Sequence, residues 1–411
     1  MEQVILYGAG RRCRHFLSKY PEMNDYVRCI IDQNAASISK ELFLRPVLSS
    51  ETLHTPEYQN CKIVVTPLKS AEIDSVLREE YHIPEKNITV IDQWALSLLK
   101  QRKIMLRPEK IRLDICTLCQ LDCRDCYMRR VKTAIGSGIV SLDVFEDFLK
   151  KHPFIKTIEI SNSGEPFLHP KLHELLTITD KMGIEIQIMN GANFNDVSDE
   201  VIEDLVTKNV KIIRISIDGA TPEVYSVYRR KGDFNKVISN IRKLNEVKKR
   251  LGSNDPQLIW QYIVMSHNLC DLEKAKQLAA ELDMSLEFKE SWNPREQEEV
   301  RNHTGVQMYD YSDRDKQDNK DVKVKLLDFE SLYCQDLLLS PQINYDGRLL
   351  GCCSVFQTDW GMNVFQDGLL SCINSDVYLD NLIQLIENGV PLKGTPCERC
   401  NTAGVKRIQF E

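Results

Sequence analysis

The stretch Cys116-Thr-Leu-Cys119-Gln-Leu-Asp-Cys123-Arg-Asp-Cys126-Tyr127 decides how the rest of the sequence is interpreted. Four cysteines fall within eleven residues, and the last three follow the spacing C-x3-C-x2-C with an aromatic residue directly after them. Three thiolates from one short loop can hold three irons of a cubane [4Fe–4S] cluster. By spacing alone Cys116 is a further candidate ligand, because it forms a C-x2-C pair with Cys119. The stretch therefore predicts a metal centre built on one loop.

The composition is that of an ordinary soluble globular protein of two or three domains. Of the 411 residues 42% are hydrophobic and 27% charged, and the net charge of -7 argues against a general nucleic-acid binder. No apolar run approaches the roughly 18 residues of a membrane helix, and the first residues lack the basic region and cleavage site of a signal peptide. Fourteen cysteines without an export signal favour a reducing, cytoplasmic location, where clustered cysteines are metal ligands rather than disulfides.

The first hundred residues alternate between strand and helix patterns, which predicts a Rossmann-like α/β domain over 1–100. A strand over 3–7 leads into the turn Gly8-Ala-Gly10, and a second strand ends at Asp32. Glycines at the first turn and an acid after the second strand are parts of the dinucleotide-binding pattern, but Cys13 stands at the place of its third glycine. Two interpretations stay open: a nucleotide or nucleotide-sugar site, and a degenerate domain that uses its glycines only for a tight turn.

Residues 108–295 repeat a strand followed by a helix, which predicts an α/β fold with a parallel sheet curled into a partial (β/α)6 TIM-like barrel. The predicted strands are 111–115, 157–161, 184–189, 211–217, 258–265 and 285–289. In such barrels the chemistry lies at the carboxyl ends of the strands. Polar residues stand at these ends, namely Ser163, Gly164, Glu165, Asn190, Ser216 and Asn268.

With these motifs the central region resembles the radical SAM superfamily, whose signature is the same cysteine spacing followed by an aromatic residue. Ser163-Gly-Glu-Pro166 resembles the Gly-Gly-Glu-Pro motif of the family, with Ser163 in place of the first glycine. Asn190-Gly191 resembles its Thr-Asn-Gly motif, and Ser216-Ile-Asp-Gly219 matches its strand end. The resemblance reaches from near residue 108 to the end of the chain.

The resemblance implies that Cys119, Cys123 and Cys126 ligate a [4Fe–4S] cluster whose open iron binds S-adenosylmethionine (SAM). A fourth thiolate would block that iron, so Cys116 is assigned a structural or cluster-adjacent role. By the same resemblance the turn around Glu165 receives the SAM amino group. The SAM contacts that the resemblance implies are Tyr127 (by its backbone), Ser163, Gly164, Glu165, Asn190, Ser216 (at the ribose) and Asn268.

The last part of the chain carries a second cysteine pattern. A charged segment over 296–330 is predicted to be a linker or lid, and a hairpin with an Asp-Gly turn is predicted over 341–350. Over 331–411, Cys334 and Cys352 precede the pair Cys397-Glu-Arg-Cys400. Four thiolates from distant segments can close one site, and their spacing allows either a structural zinc or a fully ligated [4Fe–4S] cluster.

This C-terminal region resembles the SPASM/twitch extension of radical SAM enzymes, which carries auxiliary clusters in a small iron–sulfur domain. The resemblance implies one auxiliary [4Fe–4S] cluster held by Cys334, Cys352, Cys397 and Cys400, in addition to the SAM-binding cluster. Cys353 either replaces Cys352 as a ligand or is a nearby free thiol. As a free thiol it could donate a hydrogen atom to a substrate radical, and it is the catalytic candidate of this region.

As a whole, the resemblance implies an enzyme that reductively cleaves SAM to a 5′-deoxyadenosyl radical and abstracts hydrogen from a C–H bond. A flavodoxin- or ferredoxin-like protein would supply the electron. The N-terminal pattern resembles small domains attached to bacterial polysaccharide and nucleotide-sugar enzymes. It favours oxidation or epimerisation of a sugar, cyclitol or nucleotide-linked small molecule. The alternative is a peptide maturase acting on a ribosomally made precursor, although such enzymes usually carry a winged-helix recognition domain that the glycine turn does not resemble.

Overall fold

The computed structural model of the protein describes residues 3–67, 70–128, 134–291, 293–303, 334–352, 355 and 357–400, which divide into two compact units. The terminal unit comprises Met1–Arg107, Val324–Leu338 and Ile373–Glu411. The barrel unit comprises Pro108–Lys323 and Leu339–Cys372. The barrel unit begins at residue 108, and residues 331–411 are divided between the two units.

The described strands and helices are numbered in chain order. The strands are β1 (Val4–Tyr7), β2 (Val27–Ile31), β3 (Glu41–Leu42), β4 (Arg45–Leu48), β5 (Lys62–Val65), β6 (Ile88–Val90), β7 (Lys110–Leu113), β8 (Thr157–Glu159), β9 (Glu185–Ala192), β10 (Val210–Ser216), β11 (Gln257–Val264), β12 (Ser285–Glu290), β13 (Gln342–Ile343), β14 (Arg348–Leu350) and β15 (Asp359–Asn363). The helices are α1 (Arg11–Lys19), α2 (Pro56–Gln59), α3 (Ser70–Glu79), α4 (Ile91–Lys100), α5 (Leu142–Lys151), α6 (Leu172–Lys181), α7 (Asp199–Thr207), α8 (Pro222–Tyr228), α9 (Phe234–Leu251), α10 (Leu272–Glu281), α11 (Pro294–His303), α12 (Gln335–Leu339), α13 (Val364–Asp367), α14 (Leu369–Ile373) and α15 (Asp376–Asn388).

The terminal unit is built on a sheet with the strand order β3-β4-β2-β1-β5-β6. β1 lies between β2 and β5, and all three strands run parallel. Every residue of β1 is buried, because a parallel strand covered on both faces has no solvent side. An order that grows outward from a central first strand is that of a doubly wound α/β sheet, in which ligands bind where the order reverses.

Helix α15 belongs to the terminal unit because it packs against α4. Arg102, just after α4, pairs with Asp376 and Asp380 of α15, and its Nη2 lies 2.5 Å from the Asp380 carboxylate. Exposed pairs of this kind stabilise a protein by at most about 1 kcal/mol each. The buried side chains of α15, among them Leu379 and Leu382, account for more of the attachment.

The barrel unit contains one sheet with the strand order β12-β11-β10-β9-β8-β7-β13-β14-β15. From β7 to β12 each strand is parallel to its neighbours, which confirms the predicted six-stranded partial barrel. The hairpin predicted over 341–350 is present as β13 and β14, which pair antiparallel, and Gly347 in its turn has a φ of 86°. Helix α11 occupies the start of the predicted linker or lid, and the rest of that segment, from residue 304, lies outside the described residues.

Helix boundaries in the barrel unit follow from local capping. The Ser141 hydroxyl accepts a hydrogen bond from Val144 N at the start of α5, and the Asp233 carboxylate accepts one from Lys236 N at the start of α9. Helix α9 ends at Gly252, whose φ of 64° is the left-handed conformation that a helix C-terminus favours. Of the helices in the described part of the chain, none has the length and apolar character needed to span a membrane.

Candidate active site

The cysteine loop follows β7 at the carboxyl end of the barrel strands. The Asp122 N–H donates to the carbonyl of Arg230 at 2.9 Å, and the Cys126 N–H donates to the Cys123 carbonyl at 3.3 Å. Cys123 is buried, Cys126 is half-buried and Cys119 is exposed. The loop that carries the three predicted ligands is therefore held by one main-chain hydrogen bond within the loop and one to Arg230.

The three thiols are close enough to influence one another's charge. Although Cys119 is exposed as a residue, its thiol is enclosed by neighbouring atoms, and this desolvation raises the pKa of the thiol to about 12. The charges of Cys123 and Cys126 contribute to the rise. A coordinated metal stabilises such thiolates, so the donor set fits an iron–sulfur cluster. Within the described ranges, no three His, Cys, Asp or Glu side chains already converge on a metal-binding point. The three cysteines therefore suit an iron–sulfur cluster by the chemistry of their thiols and by their place in one loop, rather than by a preformed arrangement of the sulfur atoms.

The surroundings of Cys116 differ from those of the three predicted ligands. It is fully buried and forms an antiparallel bridge with Ile139. Burial is also the main reason why the pKa of its thiol is raised. A thiol enclosed in this way supports the structural role that the sequence assigns to it.

The turn from Ser163 to Glu165 packs directly on the start of the cysteine loop. Gly164 has a φ of 75°, and a Cβ atom there would lie 2.5 Å from the Cys116 carbonyl oxygen and from Thr117 main-chain atoms. The Glu165 N–H donates to the Leu118 carbonyl at 2.8 Å. Only glycine fits this position, because the backbone is both left-handed and in contact with another backbone.

The Glu165 side chain is bound by main-chain amides. Its Oε2 accepts from Asn193 N at 2.6 Å and its Oε1 from Phe167 N at 3.4 Å. Burial nevertheless raises the pKa of Glu165 to about 7. The carboxylate thus orients the turn, and its contact with a SAM amino group stays a prediction.

Asp114, which the sequence analysis did not single out, holds the same turn from below. It is fully buried, and its two oxygens accept from Ser163 N and Gln342 Nε2, both at 2.8 Å. Burial raises the pKa of Asp114 to about 7. The sequence feature that could have identified Asp114 is an acidic residue between two apolar residues, Leu113 and Ile115, at the end of a predicted strand.

Ser216, the expected ribose contact, lies against the end of β9. A Cβ atom on Gly191, whose φ is 100°, would come within 2.2 Å of the Ser216 hydroxyl oxygen. The Ser216 hydroxyl accepts from Gln261 Nε2 at 3.0 Å, and Oε1 of the same Gln261 side chain accepts from Lys289 Nζ. The neighbouring Asn190 donates through its N–H to Ser161 Oγ at 3.0 Å. The predicted residues of two strand ends are thus brought together.

Asn268 and Tyr127 differ in their surroundings. Asn268 is fully buried, and its amide bonds the Met265 N–H at 2.8 Å and the carbonyls of Ile263 and Asp218 at 2.8 and 3.2 Å. These bonds fix the end of β11. Tyr127 is exposed beside the loop. Contacts of either residue with SAM stay predictions.

The strands of the barrel place charged and polar side chains on one face of the sheet. Lys110 Nζ on β7 donates to Gln187 Oε1 on β9 at 2.7 Å, and Arg214 on β10 binds the Glu287 carboxylate on β12 at 2.9 Å. Each contact passes over an intervening strand. Side chains of alternate strands meet in this way only on the concave side of a curved sheet. We call this side the inner face.

The outer face carries most of the apolar residues of the same strands, because side chains alternate along a strand. Ile111 and Leu113, for example, are fully buried next to the inward residue Arg112. By the strand register the inner face also carries apolar residues, such as Ile212, Ile259 and Ile263, among a larger set of polar and charged ones: Lys110, Arg112, Asp114, Glu159, Ser161, Gln187, Arg214, Ser216, Gln261, Glu287 and Lys289. The interiors of closed barrels are instead dominated by branched aliphatic residues.

Three of the four predicted auxiliary ligands belong to the terminal unit. Burial raises the pKa of Cys397 to about 12, and the charges of Cys334 and Cys400 add to this effect. The Cys400 N–H donates to the Cys397 carbonyl at 2.9 Å, which closes the C-x2-C turn. Cys352 belongs to the barrel unit and is buried.

Two further observations concern this cysteine set. Asn381 of α15, a residue missed from the sequence, accepts from Leu392 N at 2.9 Å and from the Thr395 hydroxyl at 3.0 Å, and so anchors the turn that leads to Cys397. Cys353 lies outside the described residues. The assignment of the four ligands, and of Cys353 as a hydrogen donor, stays a prediction.

The glycine turn of the terminal unit is closed by its own acid. Asp32 accepts from Ala9 N at 2.7 Å through one oxygen and from Asn34 N at 2.8 Å through the other. Arg12 of α1 is buried and pairs with Asp92 at 2.6 Å. The Asp32 carboxylate therefore holds the turn through main-chain amides, and a nucleotide site at this turn stays a prediction.

Comparison with known proteins agrees with this geometry. Residues 113–264, which run from the end of β7 to the end of β11, match the radical SAM superfamily. The matched segment contains the cysteine loop, the 163–165 turn and Ser216. Residues 113–264 therefore form a radical SAM domain.

Individual relatives are distant. The chain is 24% identical over 160 residues to the tungsten-containing aldehyde ferredoxin oxidoreductase cofactor-modifying protein of Pyrococcus furiosus, covering 38% of this chain and 44% of that protein. It is 25% identical over 178 residues to the AdoMet-dependent heme synthase of Methanosarcina barkeri, covering 43% and 48%. It thus spans less than half of each relative. The crystal structure of Streptococcus suis SuiB bound to precursor peptide SuiA superposes with a TM-score of 0.52 at 14% identity, covering 71% of this chain and 70% of SuiB. At that identity the likeness concerns the fold.

Proposed function

We propose that the protein is a radical SAM enzyme that abstracts hydrogen from a polar small molecule, such as a sugar, a cyclitol or a nucleotide-linked compound, and so oxidises or epimerises it. Cys119, Cys123 and Cys126 would hold the SAM-binding cluster, and the turn at 163–165 and Ser216 would contact SAM. When bound, the cluster and SAM together supply a 5′-deoxyadenosyl radical. The protein binds and orients the substrate and excludes water.

The polar inner face is the observation that carries the substrate class. Charged groups there are paired across strands, as Arg214 is with Glu287, and Ser216, Gln261 and Lys289 form a hydrogen-bonded series across β10, β11 and β12. Burying polar groups is costly unless hydrogen bonds compensate for it. A substrate with several hydroxyl or anionic groups can add hydrogen bonds to these paired groups, whereas an apolar substrate would remove water from them and offer no hydrogen bond in return.

The product depends on the fate of the substrate radical. Loss of one electron and one proton from a radical on an alcohol carbon gives a carbonyl, and Cys334, Cys352, Cys397 and Cys400 would hold the group that accepts the electron. Return of a hydrogen atom from a thiol, for which Cys353 is the candidate, gives the epimer and leaves a thiyl radical, which one electron from the electron donor and one proton from solvent would restore to the thiol. A flavodoxin- or ferredoxin-like donor would restore the electron that SAM cleavage consumes.

The direct test is SAM cleavage by the anaerobically reconstituted protein. We expect 5′-deoxyadenosine with SAM and dithionite, and faster formation with a member of a panel of UDP-sugars, free sugars and aminocyclitols. Deuterium from a labelled substrate should appear in the 5′-deoxyadenosine. Absence of 5′-deoxyadenosine contradicts the enzyme proposal. Stimulation by a short peptide, with none by any polar small molecule, contradicts the substrate class and favours the peptide maturase.

Lys289 is expected to bind the substrate, because it brings a positive charge to a buried strand end two hydrogen bonds from Ser216. Losing a hydrogen bond to a charged group costs about 1.5–3 kcal/mol. Lys289→Met should therefore raise KM for the stimulating compound about tenfold or more, and Lys289→Arg by less. Substrate-free 5′-deoxyadenosine formation should not change. Lys276→Met removes an exposed lysine paired with Glu273 and serves as the control. An unchanged KM in Lys289→Met contradicts the assignment.

A further inference from the structure

Arg229 is a largely enclosed cation that points at one of the three loop cysteines. It directly follows α8, and its Nη1 lies 3.7 Å from the Cys123 sulfur. Its Nε donates to Asp218 Oδ2 at 2.6 Å, and only 12% of the Arg229 side chain is exposed while Asp218 is fully buried. The guanidinium thus bridges a carboxylate and a thiol in the interior of the protein.

The position of this cation is fixed by the sheet. The second oxygen of Asp218 accepts from Ile263 N at 2.7 Å, and Asn268 donates to the Asp218 carbonyl. Cys123 packs with Tyr228, Ile263 and Met265 in an apolar cluster. Charges interact more strongly in such surroundings than in water.

Arg229 keeps its charge in this environment. A guanidinium stays protonated in proteins, and the Asp218 carboxylate paired with Arg229 favours the charged form. The charge of Arg229 therefore faces Cys123 throughout the neutral pH range. It does not depend on a proton gained or lost.

We propose that Arg229 is a positioning residue that donates an N–H bond to the Cys123 sulfur and raises the reduction potential of the iron–sulfur cluster held by the cysteine loop. The inference rests on the proposed function for the presence of that cluster. Hydrogen bonds to ligand sulfurs and the net charge around a cluster set its potential. Reduction adds one negative charge, and a fixed cation with an N–H donor stabilises the reduced form more than the oxidised form.

Two neighbours supply comparisons. Asn193 Nδ2 also lies 3.7 Å from a ligand sulfur, that of Cys119, but it is a neutral donor. Arg124 is a cation in the same loop, next to Cys123 in sequence, but its guanidinium binds Glu296 at 2.6 Å and Asp125 at 3.1 Å. Arg229 combines the charge of Arg124 with the sulfur contact of Asn193.

The test is a redox titration of Arg229→Gln, Arg229→Lys and the control Arg124→Gln, each reconstituted with iron and sulfide. The readout is the electron paramagnetic resonance signal that changes when SAM is added. At the potential where the wild type is half reduced, the reduced-to-oxidised ratio of Arg229→Gln should be at least tenfold lower, about 59 mV for one electron. Arg124→Gln should shift the ratio much less.

Arg229→Lys keeps the proposal testable where Arg229→Gln fails to take up iron. A lysine ammonium cannot reproduce the fork that binds Asp218 and Cys123 together, so its potential should lie below that of the wild type. Wild-type potential in either Arg229 variant, or equal shifts in Arg229→Gln and Arg124→Gln, would overturn the inference. A wild type that binds the cluster but never cleaves SAM would instead overturn the proposed function and leave the measured potentials interpretable.

Discussion

The triple variant Cys119→Ala, Cys123→Ala and Cys126→Ala is expected to form no 5′-deoxyadenosine and to retain about four irons per chain. The reason is that these thiols would hold the cluster that binds SAM, whereas Cys334, Cys352, Cys397 and Cys400 would hold a second cluster without them. Iron analysis, the visible absorption spectrum and 5′-deoxyadenosine formation after anaerobic reconstitution measure the outcome. The change should be the largest that any substitution in this protein produces.

Cys116→Ala is the matched control, because it removes a thiol from the same stretch. Cys116 is buried, and its main chain forms an isolated antiparallel β-bridge with Ile139. This variant should therefore keep its full iron content and still cleave SAM. Loss of SAM cleavage in Cys116→Ala would make Cys116 part of the site. A triple variant that binds no iron at all would show that the C-terminal assignment is wrong, and one that keeps its full iron content would show that the loop assignment is wrong.

The fold was predictable where the signal is local in sequence. The strand predicted over 285–289 corresponds to β12 (Ser285–Glu290), and the Asp-Gly hairpin over 341–350 to β13 and β14. Alternation of apolar residues and turn chemistry act over a few neighbouring positions. The polar strand ends, such as Ser216, could be named for the same reason, since the end of a parallel strand is read from the strand itself.

The residues missed from the sequence depend on contacts between distant positions. Arg229 stands beside Arg230 with nothing in the sequence to distinguish them, yet Arg229 is buried against Asp218 and Cys123 while Arg230 is exposed. The attachment of α15 to α4 depends likewise on Arg102 and residues more than 270 positions away. Packing, not a local pattern, selects these residues.

Gly164→Ala is expected to have the second largest effect, because it disrupts the contact between the 163–165 turn and the cysteine loop. Alanine at a φ of 75° costs about 1–2 kcal/mol in backbone strain. Its Cβ would also lie 2.5 Å from main-chain atoms of Cys116 and Thr117, which a rotamer change cannot relieve. Overpacking of this kind costs typically about 1–3 kcal/mol more. The variant should therefore unfold at a lower temperature, bind less iron in the loop and lose 5′-deoxyadenosine formation.

Gly183→Ala separates the two causes. Gly183 has nearly the same φ, 67°, but a Cβ atom there meets no atom within 4 Å. It should lose only the stability that corresponds to backbone strain, measured as a modest fall in Tm, and keep its iron and its SAM cleavage. Equal loss of iron in both variants would mean that strain alone explains Gly164→Ala. Loss of iron confined to Gly164→Ala requires that the turn position the cysteine loop, because the two substitutions differ in the backbone that the new methyl group meets.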